Sequence, residues 1–148
     1  MRHLARALCA LMTVSVVFMG FSAPADAMSK TQKHKVATLA KKLKGTPYRY
    51  GGMSPRSGFD CSGYTKYVYG KTLHTGLGRT AGAQAKQGRA IPKNKKRRGD
   101  LIAFYNGRGV YHVGIYARNG IIWHASKPGQ PVKAEKIWTS SYKVRRFR

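Results

Sequence analysis

Beyond residue 27 the chain carries one cysteine, Cys61, together with His34, His74, His112 and His124. A thiolate is a strong nucleophile, but it needs a base within hydrogen-bond reach and a third group to hold that base in the right tautomer. Cys61 lies in Asp60-Cys61-Ser62-Gly63, where a loop meets an expected helix. Unsatisfied N–H groups and the positive end of a helix dipole favour the thiolate there. His112 and His124 sit on two β-rich runs joined by Arg118-Asn119-Gly120. If those strands pair, the imidazoles are near neighbours, slightly offset, and share a face when the register is even. Such a pair, facing a helix that starts with cysteine, suits thiol hydrolysis. His34 and His74 stand in polar contexts with no such relation. On count alone Cys61 is equally well read as a buried, inert thiol or one that pairs between chains; the histidine pair shifts the balance. Cys61, His112 and His124 could supply three zinc ligands, but no further cysteine or clustered acid supports a site. Neither metal nor cofactor is expected.

These groups need elements to hold them. From Ser29 to Lys44, Val36, Leu39, Ala40 and Leu43 recur at helical spacing, and Gly45, Thr46 and Pro47 end that helix. Tyr48 to Gly58 is a Gly-, Ser- and Pro-containing loop. Ser62 to Tyr69 reads as a short buried helix ended by Gly70, and Thr80 to Gln87 as another short helix. Lys93 to Arg98 is a basic run expected to form an exposed loop. Leu101–Tyr105, Val110–Tyr116, Gly120–His124 and Lys143–Phe147 are strand-like. Asn106-Gly107-Arg108-Gly109 and Arg118-Asn119-Gly120 serve as hairpin turns. Helices followed by a meandering antiparallel sheet indicate an α+β domain.

The 148 residues allow one domain, residues 28–148. Residues 1–27 read as a cleaved signal peptide: Arg2 and Arg6, an apolar run from Leu8 to Phe21, then Ala25-Asp26-Ala27. The run is shorter than the roughly 20 residues of a spanning helix, so an uncleaved anchor is the weaker reading. Lys and Arg number 29 against 4 Asp and Glu, a formal charge of +25. Such a surface attracts polyanions, including DNA, RNA, anionic lipid and the phosphate-bearing polymers of a cell wall. Export argues against nucleic acid; a basic face that only aids solubility is the plainer alternative. Asp60, Asp100 and Glu135 are the acids beyond residue 27.

Five segments together resemble the NlpC/P60 family of peptidoglycan hydrolases. They are Gly45-Thr46-Pro47-Tyr48-Arg49-Tyr50-Gly51-Gly52, Phe59-Asp60-Cys61-Ser62-Gly63, Gly99-Asp100-Leu101, His112-Val113-Gly114-Ile115-Tyr116 and Trp123-His124-Ala125. The resemblance implies a papain-like α+β fold, with N-terminal helices packed on an antiparallel sheet. It also implies a thiol peptidase of the cell wall that cuts stem peptides, typically between γ-D-glutamyl and a diamino acid; together with the signal peptide, a secreted monomer is expected. By the same resemblance Cys61 is the nucleophile, His112 the general base and His124 its orienting residue. Tyr48 brings a hydroxyl near the cysteine, and Asp60, Ser62 and Arg79 help bind the free amino end of the stem peptide. The plainer roles are helix capping for Asp60 or Ser62 and solvation for Arg79. Asp100 is expected to be structural. Cysteine preceding histidine is the order of the peptidase branch. Two other functions remain open: a catalytically silent, cationic wall-binding protein, and an antibacterial effector that degrades a competitor's wall.

Overall fold

The computed structural model describes residues 28–148; the signal-peptide reading of residues 1–27 lies outside them. Helix α1 spans Lys30–Lys42. The Ser29 hydroxyl accepts the Gln32 N–H, and the Gln32 side chain accepts the Ser29 N–H, a reciprocal cap that satisfies two helix-end donors. Val36, Ala40 and Leu43 turn inward.

Two short paired strands, β1 (Met53–Ser54) and β2 (Gly58–Phe59), lead into α2 (Cys61–Leu73). Gly70 does not end α2, contrary to expectation. The helix continues to Leu73 and stops at His74, whose φ of 54° is left-handed and whose N–H reaches the Tyr69 carbonyl. One interior glycine costs about 1 kcal/mol, too little to stop a helix anchored by fully buried Tyr64, Val68 and Tyr69. A third helix, α3 (Ala81–Lys86), follows with Thr80 as its cap.

The rest is one antiparallel sheet of β3 (Arg89–Ile91), β4 (Leu101–Asn106), β5 (Gly109–Arg118), β6 (Ile121–His124), β7 (Lys133–Lys136) and β8 (Tyr142–Arg146). Its order is β3-β8-β4-β5-β6-β7. The four expected strand runs become β4, β5, β6 and β8. Strands β3 and β7 were not expected. Lys133-Ala134-Glu135-Lys136 has no β signal of its own and is held by pairing with β6. Within the basic run, Lys93–Lys95 forms a single 3-10 turn.

The helices pack on one sheet face, against Leu101, Ala103, Val113 and Ile115. The other face carries Ile102, Phe104, Ile122, Tyr142 and Val144. Asp100 is structural, as expected. It is fully buried, its carboxylate accepts the Arg97 N–H at 2.7 Å, and both its oxygens are held by Arg146 of β8. No helix among the described residues is long and apolar enough to cross a membrane.

Candidate active site

The position of Cys61 is set by its neighbours in sequence. Asp60 is the N-cap of α2, and its Oδ1 accepts the Gly63 N–H at 2.7 Å. Its Oδ2 accepts the Gly51 N–H at 3.0 Å, tying the 45–52 turn to the helix start. That turn presses so closely that a Cβ on Gly63 would lie 2.0 Å from the Gly52 carbonyl oxygen. Only glycine fits there, which explains the last residue of Asp60-Cys61-Ser62-Gly63.

The helix start does not by itself make Cys61 a thiolate. Burial pushes the thiol above its ordinary pKa and the Asp60 charge adds to this, while the N–H groups of Val113 and Ser62 oppose it. Here desolvation outweighs the helix dipole. Val113 lies past the last β5–β6 pair, Ile115 with Trp123, and its N–H is near enough to the sulfur to favour the anion.

His112 and His124 meet as expected: His112 Nε2 is 2.8 Å from His124 Nδ1. The Ile115–Trp123 register sets Gly114 beside His124, and a Cβ on Gly114 would crowd Ile122 and His124. His112, two residues away on the same face, reaches His124 across that gap. The pair is not on the helix-covered face, however. His112 pairs across the sheet with Phe104, and both imidazoles pack near Trp138 on the opposite face. Past the last β5–β6 pair the two strands part, and the thiol comes to this opening from the helix side, at Val113, the residue after His112.

The acid that sequence reasoning left unused completes the chain. Glu135 Oε2 lies 3.0 Å from His124 Nε2 and is also paired with Lys133 at 3.2 Å. Although its own desolvation works the other way, the Lys133 ammonium, and after it His124, hold the Glu135 carboxyl below its usual pKa, so it is ionised and can only accept. His124 must then carry its proton on Nε2 and present a lone pair at Nδ1. That lone pair accepts the Nε2–H of His112, which leaves Nδ1 of His112 as the free basic nitrogen. Burial, and then the neighbouring His124, lower the His112 pKa to about 3. The imidazole is thus neutral at neutral pH, the form a general base requires. The one signal in the sequence was that Glu135 is a lone acid among many cations.

A cleft of about 620 Å³ opens at Cys61, lined by Tyr48, Asp60, Ser62, Arg79 and Tyr111. Tyr48 is close enough that Cys61 contributes to raising its phenol pKa, after burial, which is the larger cause. Arg79 is not merely solvated. It grips both Asp60 oxygens, at 3.1 and 2.6 Å, and donates to the Ser62 hydroxyl at 3.0 Å. The three residues expected at the peptide amino end are therefore one network. Asp60 is both cap and ion-pair partner, and Arg79 is the cation turned to the cleft. His34 and His74 line a separate groove between α1 and α2. Among the described residues no three His, Cys, Asp or Glu side chains gather as a metal centre would need.

An α+β domain with a half-buried thiol at a helix start, and a carboxylate–imidazole–imidazole chain on the adjoining sheet, defines a hydrolase-type scaffold. The chain belongs to the NlpC/P60 family, whose sequence profile matches residues 45–148. It is 43% identical over 103 residues to the probable endopeptidase p60 of Listeria monocytogenes, covering 70% of this chain and 20% of that protein. Murein DD-endopeptidase MepH of Escherichia coli is 36% identical over 124 residues, covering 77% of this chain and 46% of that one. The chain thus spans a fifth to under half of the length of these curated relatives. The crystal structure of the NlpC/p60 domain of the peptidoglycan hydrolase SagA superposes with a TM-score of 0.71 at 34% identity. That match covers 78% of this chain and 98% of that domain. The fold is the NlpC/P60 fold.

Proposed function

We propose that this protein is an exported cysteine endopeptidase that hydrolyses amide bonds in peptidoglycan stem peptides, at the γ-D-glutamyl–diamino acid bond. The observation that carries the reading is the hydrogen-bonded chain Glu135–His124–His112 ending beside the strand residue whose N–H meets the Cys61 sulfur. A relative named as a murein endopeptidase and a solved neighbour named as a peptidoglycan hydrolase support the substrate class.

In this reaction His112 takes the Cys61 proton as the sulfur attacks the amide carbonyl. Thiol and imidazole are both neutral at rest, so proton transfer accompanies attack instead of preceding it. The Cys61 N–H at the start of α2 and the Tyr48 hydroxyl are the donors available to the developing oxyanion. The C–N bond breaks as His112 returns the proton to the leaving nitrogen. Water, deprotonated by the same imidazole, then releases the acyl group and restores the thiol. The cationic surface holds a monomeric enzyme on anionic wall polymers.

Incubating the purified protein with wall fragments and reading new peptide ends by mass spectrometry tests this. Wild type should release stem-peptide fragments, and Cys61→Ala should release none while still binding the wall. Binding without cleavage by wild type would favour a silent wall-binding protein instead.

A further inference from the structure

Next to the Cys61 cleft lies a second recess of about 280 Å³, lined by Tyr111, His112, Ser126, Lys127 and Trp138. Tyr111 belongs to both hollows and forms the ridge between them. Its position has a structural cause. The β4–β5 register shifts between Phe104 and Tyr105, from Phe104 opposite His112 to Tyr105 opposite Val110, which leaves Tyr111 as the unpaired bulge residue. A bulge re-aims its side chain, and Tyr111 stands 48% exposed. Trp138 forms the far wall. It stacks on Phe104 with centroids 4.2 Å apart and donates its indole N–H to the Tyr111 hydroxyl at 3.3 Å.

The two hollows divide the chemistry. Cys61 lines the first, and His112 lines the second. A thiol hydrolase bonds the acyl carbon to sulfur and returns the proton to the leaving nitrogen through the imidazole. The acyl portion therefore occupies the Cys61 side, and the leaving amine must fall on the His112 side. Resting on the function proposed above, we propose that the Tyr111–Trp138 recess binds the leaving amino acid and that Lys127 pairs with a carboxylate on its side chain.

Charge selects that carboxylate. Lys127 is the one charged side chain lining the recess, the His112 imidazole being neutral, and no acid lines it. It sits at the start of a turn closed by the Gln130 N–H on the Lys127 carbonyl, 3.1 Å. Glu135, the nearby acid, is committed to His124 and Lys133. A leaving residue whose side chain ends in an ammonium alone meets a like charge there. One that also carries a distal carboxylate meets its complement.

The test uses two amidated synthetic stem peptides that differ only in the leaving residue, diaminopimelate or lysine, so that the distal carboxylate is the sole variable. Wild type should favour the diaminopimelate peptide about fivefold in kcat/KM, the scale of one exposed ion pair. Lys127→Met should lower that value to the lysine-peptide level and leave the lysine peptide unchanged or slightly better. Lys127→Arg should keep the preference. Equal or reversed preference in wild type, or a loss in Lys127→Met that falls alike on both peptides, overturns the assignment while leaving the peptidase reading intact. Cleavage of neither peptide by wild type overturns both.

Discussion

At the scale of single residues, the site depends on which nitrogen of each imidazole holds a proton. Glu135 decides this through His124 although it touches neither thiol nor base. Glu135→Gln places an amide that donates as readily as it accepts, so both tautomers of His124 become populated. We expect kcat to fall about tenfold, the low end for a group that orients a functional histidine, with KM little changed. An unchanged kcat in steady-state assays would remove Glu135 from the relay. The neutral imidazoles also predict a pH dependence of stability. The His112 pKa is lowered to about 3 in the fold, against about 6.5 in an unfolded chain. The unfolded state therefore binds more protons below about pH 6.5, and stability falls progressively from there towards pH 3. Asp60, also held below its ordinary value despite burial because Arg79 and the Gly63 N–H favour its anion, adds a loss of the same sign at the acid end. Thermal melts stepped downward from neutral pH should show this slope, and His112→Asn should flatten it.

At the scale of elements, two glycines of one helix make opposite predictions. Gly63 lies against the Gly52 carbonyl, whereas a Cβ on Gly70 meets nothing within 4 Å. Gly63→Ala must push the 45–52 turn away from the start of α2, at a cost of about 3 kcal/mol. Gly70→Ala should stabilise by about 0.5–1 kcal/mol, because the helix interior gains a better former. Urea titrations of the two variants measure the contrast, and equal effects would mean that the turn is not clamped as described. The same elements show why parts of the fold were hidden in sequence. Strand β5 announces itself by its β-branched and aromatic residues, but β7 is Lys-Ala-Glu-Lys and exists because β6 offers it a paired edge. The end of α2 is hidden in sequence for a related reason. Propensity at Gly70 is local, whereas the packing of Tyr64 and Tyr69 is not.

At the scale of the whole molecule, the charge of +25 dominates encounters with any polyanion. Attraction through exposed lysines and arginines is screened beyond about 8 Å at physiological ionic strength. Raising salt should therefore release the protein from wall fragments in a sedimentation assay, without changing kcat on a small soluble peptide. Retention at high salt would point to a contact other than charge. Few acids offset this field, and each of the three among the described residues is put to use inside the fold. Asp60 binds Arg79, Asp100 binds Arg146, and Glu135 binds His124 and Lys133.

By itself the sequence determined what local pattern can determine: the thiol at a helix start, the two strands that bring His112 to His124, the α+β order and the family. Those features rest on spacing within one element or across one tight turn. Tertiary structure alone decided that Glu135 orients the pair, that Arg79 grips Asp60 across 19 residues, and that Trp138 and Tyr111 wall a recess from 27 residues apart. It also decided the state of the thiol. A helix start favours the anion, but burial opposes it, and burial belongs to the packed molecule and not to the residues around Cys61 in sequence.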